Sequence, residues 1–226
     1  MNRLLVLILT LAALLRFWQL GNVPPSASMD EASIGYNAYS VLKTGGDEYG
    51  DFPLISQRGF DDWRRSTYLF LTIPFVALFD LQVIAVRLPA VVLSILTIWA
   101  TYHIALLLSR LKPVAIFSAL FLAISPWHIY ISRLGHESNA YLSFFVFGVM
   151  FFLKDRLLIA ILFFVLSMIS YYAGQVFVPL FGLGVLIIYR DTIKKFLIPL
   201  LVFLPVLFFI LWNIFSPSAL VRFQGT

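Results

Sequence analysis

Apolar residues arrive in blocks along this chain, at about 4–20, 68–79, 88–108, 114–131, 140–153, 157–174, 176–189 and 196–215. No other feature limits its fold so strongly, because such blocks must be buried against one another or in hydrocarbon. Composition decides between the two. The chain is 61% apolar and 12% charged, whereas soluble domains run at about 45–50% and about 25%. The blocks therefore predict an all-α membrane protein. Met1-Asn2-Arg3 followed by Leu4–Leu15 has the outline of a signal peptide. Arg16-Phe17-Trp18-Gln19 follows where a small-residue cleavage site would stand, so this segment reads as an uncleaved first span.

Basic residues punctuate the blocks: Arg3, then Arg110 and Lys112, then Lys154 and Arg156, then Arg190, Lys194 and Lys195. Placing every cluster on the cytoplasmic side requires an even number of crossings between neighbours. The later intervals hold two blocks each, but the first holds three. Residues 68–79 are the block that does not cross, since they reach only ~18 Å as helix against ~30 Å of hydrocarbon and contain Pro74. The expectation is one module over 1–226 with about seven transmembrane helices. A juxtamembrane or re-entrant helix lies in a long first outer loop, 21–87, and the amino terminus is cytoplasmic.

Charge narrows the function classes. A pI near 9.6 in a soluble protein would suggest nucleic acid, but these bases sit in short loops between spans, so no nucleic-acid partner is expected. There is no cysteine, and His103, His128 and His136 lack ligand-like spacing. Residues 22–66 carry seven of the eleven acids and four of the sixteen bases. The topology gathers Asp30, Glu31 and Glu137 with Arg64, Arg65 and Arg133 at one membrane surface. Guanidinium groups suit a phosphate, and a carboxylate at a bilayer edge suits a proton acceptor. The same charges pairing among themselves in a solvated loop is the structural alternative. Asp47, Glu48 and Asp51, flanking Gly45, Gly46 and Gly50, read as turn builders.

Leu15-Arg16-Phe17-Trp18-Gln19-Leu20-Gly21, Pro24-Pro25 and Asp30-Glu31 open a series that continues through Thr44–Gly50 and Arg87-Leu88-Pro89-Ala90. Ser125-Pro126-Trp127-His128, Ser132-Arg133, Glu137, Tyr171-Tyr172 and Val178-Pro179 complete it. In order and position this series resembles the membrane glycosyltransferases of the GT-C fold, among them protein O-mannosyltransferases and the lipid A aminoarabinose transferase. The resemblance implies transfer of a sugar from a polyprenyl-phosphate donor to a glycan, lipid or protein acceptor at the outer face of the cell membrane. It puts the base at Asp30, with Glu31 and Glu137 as accompanying active-site carboxylates. Arg64, Arg65 or Arg133 would meet the carrier phosphate, and His136 and Tyr172 would border the substrate. A divalent metal held by Asp30 and Glu137 is an option within the fold.

Asp62-Trp63-Arg64-Arg65-Ser66-Thr67-Tyr68 departs from the family's Lys-Pro-Pro pattern, with Arg64 at the lysine position. Relatives of this kind also continue through further spans. The chain is thus expected to be a piece of a longer protein or a minimal, partner-dependent module. A noncatalytic scaffold of the same fold and a small-solute transporter remain as rival readings. The transporter predicts charges inside spans, and these spans carry almost none.

Overall fold

A computed structural model of the protein describes residues 3–60, 62–188 and Phe208, apart from the side chain of Asp62. The rest of the 196–215 block, the bases Arg190, Lys194 and Lys195, the tail 216–226 and Asp61 lie outside the described residues. The order is α1 (Arg3–Phe17), α2 (Met29–Thr44), β1 (Ser56–Gly59), β2 (Asp62–Arg65), α3 (Thr67–Phe79), α4 (Val83–Ser109) and α5 (Lys112–Ile124). Then come α6 (Pro126–Ser132), α7 (Glu137–Leu153), α8 (Leu157–Ser170) and α9 (Tyr172–Ile188).

The expectation of about seven transmembrane helices is overturned. Among the described residues one helix, α4 with 27 residues, is long and apolar enough to cross a membrane. The pair α5–α6 passes only if counted as one span bent by 59°. The remaining apolar helices α3, α7, α8 and α9 have 13 to 17 residues, or about 20–26 Å of helix against ~30 Å of hydrocarbon. Sequence breakers cut the blocks. Pro126 cannot donate to Leu122, which ends α5. Asp155 takes a positive φ of 59° after α7, and Tyr171 is extended between α8 and α9.

The purely α-helical expectation also needs correcting. What was read as a first outer loop contains α2, an antiparallel hairpin of β1 and β2, and α3. Helix α2 begins with a capping box: the Ser28 hydroxyl accepts from Glu31 N–H, and the Glu31 carboxylate accepts from Ser28 N–H. It ends at Gly45, whose φ of 81° is the left-handed cap. The Asp47 carboxylate then accepts from the N–H groups of Tyr49 and Asp51, closing the next turn. Residues 68–79 do form a helix, α3, and it continues through Pro74.

Polar contacts give the helix directions. Arg16, at the end of α1, donates to Ala123 O at the end of α5, so those two helices run the same way. Glu31 accepts from Arg87 at the start of α4 and from Gly135 N–H just before α7, so α4 and α7 both start near α2. Thr97 donates to the Ser143 hydroxyl at 2.8 Å along the α4–α7 seam. Ile34, Tyr68, Val86, Leu93, Phe144, Phe147 and Met150 form the main core there. The two ends of the bundle differ in charge. One collects Arg3, Arg110, Lys112, Lys154 and Arg156, and the other collects the starts of α2, α4, α7 and α9.

Arg87 organises that second end. Its side chain is fully buried and donates to both Glu31 oxygens, to Leu20 O and Pro24 O, and to Ser26 O. These bonds use all five guanidinium N–H groups. Burial alone would raise the Glu31 pKa, but bonds from Arg87, Gly135 and Ser28 hold it below the usual value. Gly135 must lack a side chain, because a Cβ there would lie 2.7 Å from Val86 Cγ1.

Removing one partner of a buried pair leaves a bare charge, so Arg87→Met is expected to cost about 3–5 kcal/mol in chemical unfolding. Arg87→Met combined with Glu31→Gln should cost less than the sum of the two single changes. The wild-type contribution is present above the ordinary Glu pKa and is lost as pH falls through the lowered one. Strict additivity of the two changes would show that the pair does not act as a unit.

Candidate active site

Asp30 is the second residue of α2 and Glu137 the first of α7, so two helix N-termini bring their acids together. A helix N-terminus favours a negative charge. His136, the N-cap of α7, lies between them, with Nε2 at 3.3 Å from Asp30 Oδ2 and 3.7 Å from Glu137 Oε2. The hairpin delivers Arg64, whose Nη2 is 2.7 Å from Asp30 Oδ1. The Asp30 side chain is 38% exposed and Arg64's 10%. The cluster thus has a buried floor and an open carboxylate.

The His136 tautomer follows from its neighbours. Nδ1 accepts from Ser138 N–H at 3.1 Å, so the neutral ring carries its proton on Nε2, directed at Asp30. His136 therefore orients Asp30, and its own basic nitrogen is capped. Glu137 behaves differently. Burial raises its pKa; His136 and Arg64 pull the other way, and the charge of Asp30 adds to the rise. Two neighbouring carboxyl groups in different surroundings suit one as proton acceptor and one as proton carrier.

The other expected site residues are held elsewhere. Glu31 faces Arg87 and is 2% exposed, so it braces the cluster from behind. Arg133 donates to the carbonyls of Leu15, Arg16, Trp18 and Val23 and ties the end of α1 to the α6–α7 turn. Arg65 points from the opposite hairpin face to α9. It donates to Ser56 Oγ at 3.2 Å and lies 4.5 Å from the centre of the Tyr172 ring. With the Gln175 amide oxygen turned toward it, Arg65 also donates there. The Tyr172 hydroxyl donates to Trp63 O, so Tyr172 fastens α9 to the hairpin.

A divalent metal between Asp30 and Glu137 does not fit this donor set. The Arg64 guanidinium holds the cation position on Asp30, and His136 presents N–H where a ligand needs a lone pair. Among the described residues no group of three or more His, Cys, Asp or Glu side chains is arranged to hold a metal.

Sequence reasoning missed two contributors. Arg87 entered only within Arg87-Leu88-Pro89-Ala90, and Tyr171, 5.9 Å from His136 between ring centres, only within Tyr171-Tyr172. A groove lined by Tyr39, Lys43 and Phe79 lies at the far end of α2 and takes no part in the cluster.

The raised affinity of Glu137 makes a stability test. The native state holds its proton above the ordinary Glu pKa, so stability falls as pH rises from that value through the raised one. Glu137→Gln is expected to flatten this slope in thermal melts across the same window. An unchanged slope would place the retained proton on another group. Comparison with protein-family models, curated proteins and solved structures finds no match to this chain.

Proposed function

We propose that the chain is a membrane-bound glycosyltransferase that moves a sugar from a polyprenyl-phosphate donor to a hydroxyl-bearing glycan, lipid or protein. The observation that carries this reading is Asp30, half open to solvent, held by Arg64 at 2.7 Å and by His136 at 3.3 Å beside buried Glu137. A partly exposed carboxylate paired with a guanidinium matches a reaction with one hydroxyl proton to accept and one phosphate to release.

In the proposed step the acceptor oxygen forms a bond to the anomeric carbon from the face opposite the phosphate. Its proton passes to Asp30. The bond between the anomeric carbon and the phosphate oxygen breaks, and the electron pair leaves with the polyprenyl phosphate. Arg64 exchanges Asp30 for that phosphate, which frees Asp30 to take the proton. Arg65 and Arg133 spend donors inside the protein, so Arg64 is the residue assigned to the phosphate.

Two features support a bilayer setting. Leu4, Leu7, Leu11 and Leu14 on α1, and Val114, Phe117 and Phe121 on α5, expose apolar stripes on neighbouring helices. The basic end of the bundle lies opposite the Asp30 end, which suits a cytoplasmic basic face and an outer active site. Accordingly, the expressed chain should remain in the membrane fraction after alkaline carbonate washing; its release into the supernatant would refute the setting.

The activity test is transfer of labelled sugar from a polyprenyl-phosphate donor in membranes. Asp30→Asn is expected to lower the rate by about 10²–10⁴, while Arg64→Gln raises KM for the donor. A wild-type rate from Asp30→Asn would remove Asp30 from the chemistry.

A further inference from the structure

Behind the Asp30–Arg64 pair runs a polar seam between α2 and the hairpin. On α2, Asp30, Ser33 and Asn37 follow one another at intervals of three and four, which places them on one face. On the hairpin, Gln57 stands directly across from Arg64, and Gly59 lies two residues further along the same face. The two faces are in close contact. A Cβ on Gly59 would run into Ser33 Oγ and lie 3.5 Å from Asn37 Nδ2.

The seam is buried but not internally satisfied. Gln57 is fully buried, and neither its amide oxygen nor its amide nitrogen has a hydrogen-bond partner. Ser33, 1% exposed, has an unpartnered hydroxyl as well. Asn37 differs, since its amide donates to Ser33 O and accepts from Glu48 N–H. Buried polar groups are ordinarily paired, so a group of unpaired ones beside a reactive carboxylate needs a reason.

We infer that Gln57 and Ser33 form a subsite for the hydroxyl groups of a neutral sugar, one turn deeper than Asp30. This rests on the glycosyltransferase reading and names its donor class. The chemistry is matched: the amide and the hydroxyl each donate and accept, as vicinal sugar hydroxyls do, and neither carries a charge. As packed, the seam leaves no space for a sugar, so the subsite exists only once the hairpin has lifted from α2. A sugar in the seam would have its anomeric end toward Asp30 and its phosphate toward Arg64, the cross-strand neighbour of Gln57. Access requires the hairpin to lift from α2. Loss of the Arg64–Asp30 contact when a phosphate arrives releases one tie between them, while Arg65 and Tyr172 keep the hairpin on α9.

The test compares wild type with Gln57→Leu and Ser33→Ala in detergent micelles. Binding is measured for polyprenyl-phosphate mannose, polyprenyl-phosphate glucose and bare polyprenyl phosphate, alongside thermal unfolding. Either substitution is expected to weaken a glycosylated lipid about tenfold, leave the bare lipid unchanged and not lower Tm. Unchanged affinity for both glycosylated lipids would overturn the subsite and leave the parent reading standing. Equal weakening of the bare lipid would also overturn it, as damage to the hairpin. Failure of wild type to bind any of the three lipids would remove the glycosyltransferase reading, and the subsite with it.

Discussion

The buried pair of Arg87 and Glu31 is the constraint on which the rest depends. Taking both charges out of water is costly, and their attraction repays that cost only when every remaining donor and lone pair is used. Here it is. Arg87 reaches the carbonyls of Leu20, Pro24 and Ser26 and so shapes the connection from α1 to α2. Glu31 reaches Gly135 and so fixes the turn before α7. Asp30 is one residue from Glu31 and Glu137 two from Gly135. The distance between the Asp30 and Glu137 carboxylates is therefore set by a pair buried behind them.

Arginines do similar work elsewhere in this apolar bundle. Arg16 is fully buried and donates to Ala123 O and Leu122 O, the latter left open by Pro126. It also reaches His128 Nδ1 at 2.8 Å. Arg133 covers the last carbonyls of α1. In each case a long side chain with several donors completes backbone that a helix end or a break has opened. Arg64 stands apart because it meets an open carboxylate.

The sequence made the helical character and the positions of most helices legible, because apolar runs without strand alternation leave few choices. It misjudged how those runs divide. Counting apolar length treats 114–131 as one element, whereas Pro126 bends it, and it gives no weight to the Asp155 and Tyr171 ends that keep α7 and α8 short. The hairpin was invisible for a different reason. Ser56–Gly59 and Asp62–Arg65 are polar and short, and their burial depends on α2 lying beneath them. At the site, Asp30, Arg64, His136 and Glu137 could be named from charge and position. The diversion of Glu31, Arg65 and Arg133 into bracing could not, since it depends on carbonyls exposed by turns that no local pattern announces. The Ser28–Glu31 capping box marks where α2 begins, and counting apolar blocks passed over it.

Consecutive side chains of a strand emerge on opposite sides, so neighbouring guanidiniums at positions 64 and 65 serve different masters: one addresses Asp30, the other Tyr172 and Gln175. A one-residue slip in the pairing of β2 with β1 would exchange them, presenting the wrong cation to each helix and placing Gln57 opposite an unrelated partner. The pairing register is thus under a parity rule: a slip by two residues keeps each guanidinium on its face, and a slip by one swaps them.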